Sequence, residues 1–339
     1  MKKAIICKEV GEFSINSKIN KTHIPKAGDV AVFEVLELGK HTSIQAVGGN
    51  NAYIFPGDEV MMAFGNRYAT GQFEGYVPHR YLEEYQILGK GGAVGELASM
   101  HSKLIDTGAS NVKLVGYAVN GENEVINTKY LNDVELKFKP KANRPKIILS
   151  LGSSMDSGKT TSAAFLGRGL SRAGKKVAFI KLTGTVYTKD RSFARDAGAE
   201  IAIDFSTVGF PSTYLCSEEE LLNLYESLLE KTKVISPDFV IVEIDDGLIQ
   251  RETKILINNK EFMSTVYSVL FSGGDSMSAM NGIDILENLN VPIFGVSGLF
   301  TASPLLYKEV ADNTLHKVLS IEELEEPNIL MKTKKTKVA

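Results

Sequence analysis

From residue 146 onward the chain alternates short apolar runs with amphipathic stretches. Lys146–Leu151, Lys176–Leu182, Glu200–Phe205, Asp238–Ile244, Thr265–Phe271 and Val291–Val296 read as strands, each a short apolar run bounded by polar or turn residues. Thr160–Ala173, Glu218–Lys233, Asp275–Leu289 and Ser303–Asp312 read as helices between or after them. In the second of these, Leu221, Leu222, Leu224, Tyr225, Leu228 and Leu229 recur at helical spacing, which predicts a helix packed on a sheet. Regular alternation of strand and helix predicts βαβ units and a mainly parallel sheet.

The first 140 residues follow a different pattern. Apolar or alternating stretches at Val30–Leu38, Thr42–Val47, Glu59–Phe64 and Lys113–Val119 are separated by turn signals such as Ala27-Gly28-Asp29 and Pro56-Gly57-Asp58. No helical period persists there, so a small β-rich domain, barrel or sandwich, is expected over residues 1–140. The glycine-rich stretches Phe64–Tyr68 and Lys90–Glu96 read as turns near a barrel rim. Lys137–Pro145 carries four positive charges and two prolines, and a linker is expected at 141–145. The second domain is then 146–330, and the lysine-rich end, 331–339, is expected to be a disordered basic tail.

Composition narrows the function classes. The 339 residues are 43% hydrophobic and 23% charged, the mix of a soluble globular protein. With 38 basic and 41 acidic residues there is no general electrostatic case for nucleic acid or an anionic membrane. No apolar run is long enough to span a bilayer, and the apolar run near the start is too short for a signal-peptide core. Two distant cysteines, Cys7 and Cys216, indicate neither a disulfide framework nor a zinc site, and a cytoplasmic protein is expected.

The chemistry is concentrated in Lys146-Ile-Ile-Leu-Ser-Leu-Gly152-Ser-Ser-Met-Asp-Ser-Gly158-Lys159-Thr160-Thr161: an apolar strand, a loop, and Gly-Lys-Thr at the head of a helix. A phosphate-binding loop needs this arrangement, because loop and first-turn N–H groups converge on one point and the helix dipole adds positive potential there. Gly152, Ser153, Asp156, Ser157, Gly158, Lys159, Thr160 and Thr161 are the candidate nucleotide-binding residues. Lys159 is expected on the β- and γ-phosphates and the Thr160 hydroxyl on Mg²⁺. Five residues rather than four separate Gly152 from Gly158, a departure from the common spacing.

Glu243, Asp245 and Asp246 follow an apolar strand, at the edge where open α/β sheets place their ligands. Glu243 and Asp245 are candidates to hold Mg²⁺ or orient a nucleophile, the alternative being solvated carboxylates at a strand end. Lys181 ends another strand and is a candidate to neutralise charge on a transferred phosphoryl group, or else a surface lysine. Arg191 and Arg195, one helical turn apart, either present two forks to an anionic substrate or line an exposed face.

The five-residue spacing before Gly-Lys-Thr resembles the dethiobiotin synthetase-like family of P-loop NTPases. The strand Lys175–Lys181, ending in a lysine, and the strand Asp238–Glu243 with Gly247 beyond it are similar to that family's later motifs, although Asp245-Asp246 stands where the family has Ala-Gly. Lys189-Asp190-Arg191 through Arg195 to Ala197-Gly198-Ala199 resembles a segment of the GTP-binding adaptors of molybdopterin-guanine dinucleotide synthesis, without that family's histidines. Together the likenesses cover about 146–300. They imply a P-loop NTPase domain with Lys181 directed at phosphates, a possible homodimer, and ligase or kinase chemistry on a small carboxylate or amine acceptor.

The sequence thus predicts an α/β P-loop domain preceded by a smaller β-rich domain, using ATP and Mg²⁺. GTP is less favoured because no Asn-Lys-x-Asp segment is present. The competing expectation is a nucleotide-dependent switch or adaptor acting on a protein partner.

Overall fold

A computed structural model describes residues 1–131, 136–140 and 143–332. The chain divides into two compact units. Unit 1 comprises Met1–Glu135 with two later segments, Gly184–Thr188 and Phe205–Cys216; unit 2 comprises Leu136–Thr183, Lys189–Asp204 and Ser217–Ala339.

Unit 1 is built on a curled sheet. Glu59–Phe64, Val30–Glu37, Asn111–Val119, Tyr85–Gly89 and Ala93–Met100 are hydrogen-bonded in that order. The last strand also pairs, in parallel, with the first, Ala93 opposite Ala63 and Val94 opposite Phe64. Five strands therefore close on themselves as a small barrel, which leaves none of the five without neighbours on both sides. Short strands at Lys2–Lys3, Ser14–Asn16, Arg67–Tyr68 and Phe73–Tyr76 extend the sheet. Phe33, Phe64 and Tyr85 meet edge to face inside, with ring centroids 5.4–5.8 Å apart.

Within the glycine-rich stretch 90–96, Lys90–Gly92 is the expected turn, between the strands Tyr85–Gly89 and Ala93–Met100, whereas Ala93–Glu96 already belongs to the second of these strands. Its glycines answer close approach. A Cβ on Gly95 would lie 2.5 Å from the Tyr76 carbonyl oxygen, and one on Gly91 would lie 2.1 Å from that of Val186. Arg67–Tyr68, also read as turn, is a short strand paired with Phe73–Tyr76.

One buried group in unit 1 has a measurable consequence. His41 is 3% exposed, and burial, aided by the nearby Arg67 charge, pushes it down to about 3 from an ordinary 6.5. The unfolded chain therefore takes up the proton first as pH falls. The stability that neutral His41 confers is complete above about pH 6.5 and is lost as pH drops toward 3, at up to about 1.4 kcal/mol per pH unit. The urea midpoint of wild type should fall between pH 7 and pH 4.5 by more than that of His41→Gln. Equal falls in the two proteins would refute this assignment.

Unit 2 holds six parallel strands: β1 (Lys146–Gly152), β2 (Val177–Lys181), β3 (Ile201–Asp204), β4 (Phe239–Glu243), β5 (Val266–Gly273) and β6 (Ile293–Gly298), in the spatial order β3-β2-β4-β1-β5-β6. Its helices are α1 (Lys159–Arg172), α2 (Lys189–Asp196), α3 (Glu218–Thr232), α4 (Arg251–Asn258), α5 (Lys260–Met263), α6 (Ser276–Asn288), α7 (Pro304–Ala311), α8 (Ile321–Leu324) and α9 (Ile329–Lys332), of which α5, α8 and α9 are single turns. The expected α/β domain with a mainly parallel sheet is present. Leu166 and Leu170 of α1 pack with Ile148, Phe179, Ile241 and Leu270 of the sheet. Each such side chain, fully buried, contributes about 2 kcal/mol.

Several boundaries differ from the sequence reading. β5 continues to Gly273 because Ser272 and Gly273 still pair with Ser297 and Gly298. β6 begins at Ile293, because Pro292 has no N–H to give the ladder and only its carbonyl is used, accepting from Val269 N and Ser268 Oγ. Asp275 caps α6 in a capping box with Ser278.

The basic stretch before β1 is held by side chains of α3. The Leu136, Phe138 and Lys139 amides donate to Ser227, Asn223 and Glu226 at 3.0, 3.1 and 3.2 Å. Arg144 pairs with Glu226 at 2.6 Å and lies over the Phe138 and Tyr225 rings. These partners account for Asn223, Glu226 and Ser227, polar residues on the buried face of α3. Residues 141 and 142 of the expected linker, and 333–339 of the expected tail, lie outside the described residues.

Candidate functional site

The site forms at the carboxyl ends of β1, β2 and β4, because the sheet makes these strands neighbours. Glu243 stands opposite Ser150 of β1 and opposite Lys181 of β2. Sequence-distant residues thereby reach one edge in register, where doubly wound sheets bind ligands.

The loop between β1 and α1 has the geometry of an anion cradle. Asp156 and Gly158 both have positive φ, 61° and 97°, and such local reversals turn successive N–H groups toward one side. Glycine is required at both glycine positions of the motif. A Cβ at Gly152 would lie 2.3 Å from Ser157 Oγ and 2.6 Å from Lys159 Cγ, and Gly158 combines its positive φ with the Gly298 backbone 3.2 Å from a Cβ. Neighbouring strand ends clamp the loop. Ser153 N donates to Ser272 O at 2.9 Å, Leu248 N to Gly152 O at 3.0 Å and Leu299 N to Ser157 O at 3.0 Å. Ser157 and Lys159 are buried, while Asp156 and Thr161 are exposed.

Five charged side chains converge below this loop: Lys159, Lys181, Asp190, Glu243 and Asp245. The Lys159 ammonium donates to the Ser154 carbonyl at 2.8 Å and lies 3.6 Å from Asp245 Oδ1. The Lys181 ammonium lies 2.6 Å from Asp245 Oδ2 and 3.3 Å from Glu243 Oε1, and it also pairs with Asp190. The Thr160 hydroxyl donates to Glu243 Oε1 at 2.8 Å. Thr183 Oγ1 fixes the Asp245 backbone, accepting from its N–H at 2.8 Å.

Electrostatics separates the two acids. Burial pushes Glu243 up to about 7, against the pull of Lys181. Burial acts in the same sense on Asp245, but Lys181 and then Lys159 outweigh it and hold that carboxyl below its usual range. Lys181 is desolvated too, yet Asp245, Glu243 and Asp190 raise it well above an ordinary lysine, so it is charged.

Asp190, Glu243 and Asp245 each offer an oxygen, all within 4.8 Å of one another. Glu243 Oε2 is buried and no N–H or O–H donates to it, and the hydroxyl on the other oxygen is a neutral hard ligand. These donors fit Mg²⁺, which takes hard oxygens and one or two carboxylates.

Sequence reasoning named Lys159, Thr160, Lys181, Glu243 and Asp245, and the fold gathers all five. It missed Asp190 as a site residue. The available signal was its place at the head of α2, nine positions beyond the strand-end lysine it pairs with. Arg191 faces Asp204 at 3.4 Å and Arg195 is exposed, so at Arg191 an ion pair replaces the open fork. Two open cavities, about 440 and 240 Å³, lie in unit 1, away from this cluster in sequence and lined by Glu37–Asn111 and Tyr68–His101 residues.

A strand, a glycine-bounded loop and a Gly-Lys-Thr helix start at the edge of a parallel sheet define an α/β domain of the P-loop fold. No family model matches the chain, and no curated protein matches it. Among solved structures it is similar to chloroplast FtsY from Physcomitrella patens, at 16% identity over 55% of this chain and 63% of that one, with a TM-score of 0.36. It is also similar to the 54 kDa signal recognition particle protein from Aeropyrum pernix K1 in complex with GDP, at 20% identity over 59% and 47%, TM-score 0.38. A ParA family ATPase from Chlorobium tepidum TLS matches at 11% identity over 56% and 94%, TM-score 0.34. The chain spans less than two thirds of the length of the first two. Among the described residues no helix is long and apolar enough to cross a membrane.

Proposed function

We propose that unit 2 binds a nucleoside triphosphate with Mg²⁺ and hydrolyses it or transfers its γ-phosphoryl group to a small acceptor. The observation that carries this reading is the contact of the Thr160 hydroxyl with Glu243, at the head of the P-loop helix and beside two buried lysines. The loop amides and Lys159 hold the phosphates, and Lys181 turns its ammonium to charge that develops on the transferred group. Thr160, Glu243 and Asp190 would hold the metal, which would supply positive charge to offset that of the phosphates. Asp245 keeps both lysines oriented. ATP is favoured because the sequence has no Asn-Lys-x-Asp guanine-reading segment. A carboxylate or amine acceptor suits the dethiobiotin synthetase-like resemblance.

A second reading, a nucleotide-dependent switch, is favoured by one feature: the chain that leaves β2 just after Lys181, and β3 just after Asp204, folds as part of unit 1. Calorimetric titration of ATP and GTP with Mg²⁺ tests the proposal, followed by phosphate release on the better binder. Binding of one nucleotide with release in the absence of any protein partner is expected. Binding without release supports the switch, and binding of neither removes both readings.

A further inference from the structure

We infer that Lys181 locks the divalent-cation site: without nucleotide its ammonium takes the place of the metal's charge, so that the metal enters only with phosphates that draw the lysine away. This inference rests on the reading of the site as one for a metal and a nucleotide.

Three carboxylates, Asp190, Glu243 and Asp245, bring oxygens within 4.8 Å of one another, a span that one cation can bridge. Lys181 is the cation that pairs with all three, and its side chain is only 9% exposed. Two observations separate this cluster from a permanent structural ion pair. Glu243 is fully buried, yet no N–H or O–H donates to its Oε2, an arrangement that costs free energy in a finished network. The other oxygen of the same carboxylate carries a neutral hydroxyl, Thr160 Oγ1 at 2.8 Å, and an alcohol beside a carboxylate is a donor pair for a hard cation.

An ammonium and a divalent ion cannot both occupy these oxygens, because at such separations in a buried site their repulsion is large. Removing the lysine without a replacement acceptor is also costly. Phosphate oxygens supply that acceptor, with charge-assisted hydrogen bonds that compensate the ammonium for Glu243 and Asp190, the carboxylates it gives up to the metal, while Asp245 stays beside it. The nucleotide is therefore the key, and metal and nucleotide bind with strong mutual dependence.

Mn²⁺ titration of the full chain, followed by electron paramagnetic resonance of the free ion, reads this out without turnover. Nucleotide-free Lys181→Met, which keeps length and removes charge, should bind one Mn²⁺ per chain at least tenfold more tightly than nucleotide-free wild type. Adding Glu243→Gln to that variant should abolish the gain. Equal Mn²⁺ binding by wild type and Lys181→Met, or a gain that survives Glu243→Gln, overturns the lock. Should Lys181→Met not fold, wild type decides: Mn²⁺ bound through Glu243 as tightly without ADP as with it would also overturn the idea. If wild type binds no nucleotide at all, the functional reading fails, and the nucleotide-free comparison still judges the lock.

Discussion

Lys159→Met should abolish measurable turnover and weaken nucleotide binding by about 100-fold or more, with little loss of fold. The ammonium now rests on the Ser154 carbonyl and near Asp245, acceptors that phosphates replace. Two charge-assisted hydrogen bonds to phosphate, each about 1.5–3 kcal/mol, correspond to at least two powers of ten in affinity. The fold survives because Asp245 keeps Lys181 at 2.6 Å, so no carboxylate is left without a cation, and methionine fills the buried stem's space. Calorimetry with the better nucleotide, alongside a thermal melt, distinguishes the outcomes. A folded variant that binds like wild type would remove Lys159 from the phosphate site.

The second large effect is expected from Glu243→Gln, which should lower Mg²⁺-dependent phosphate release by about 100-fold or more while sparing metal-free nucleotide binding. Glutamine keeps the size of the side chain and can still accept from Thr160, but it offers a metal no negative charge. Because burial already holds the Glu243 carboxyl up to about 7, the neutral amide introduces no new desolvation penalty. Stability near neutral pH should therefore change little. Steady-state release across a Mg²⁺ series checks the prediction, and an unchanged rate at saturating Mg²⁺ would assign the metal elsewhere.

The P-loop, the strand-end lysine and the strand-end glutamate were legible in the sequence because each follows an apolar run that fixes where a strand ends. Strand order was not legible, yet it is strand order that puts Glu243 between Ser150 and Lys181. Asp190 stayed hidden for that reason: its role depends on where α2 returns the chain, not on its neighbours in sequence. In unit 1 the glycines at 91, 92 and 95 looked like turn residues. Gly91 and Gly92 do lie in a turn, but Gly95 is in a strand, and Gly91 and Gly95 are both places where another backbone comes too near for a side chain, a requirement set by tertiary packing.

The make-up of unit 1 bears on how the protein can be made and divided. Its last pieces, Gly184–Thr188 and Phe205–Cys216, are encoded beyond the first two strands and the P-loop helix of unit 2. During synthesis the barrel emerges long before these pieces do, so its completion waits until about two thirds of the chain has left the ribosome. A gene fragment ending near residue 135 would encode a barrel lacking Val186, whose carbonyl fits against Gly91, and Tyr214, whose ring packs on Tyr68. Dissecting this protein into working halves therefore calls for circular rearrangement or grafted segments rather than a single cut.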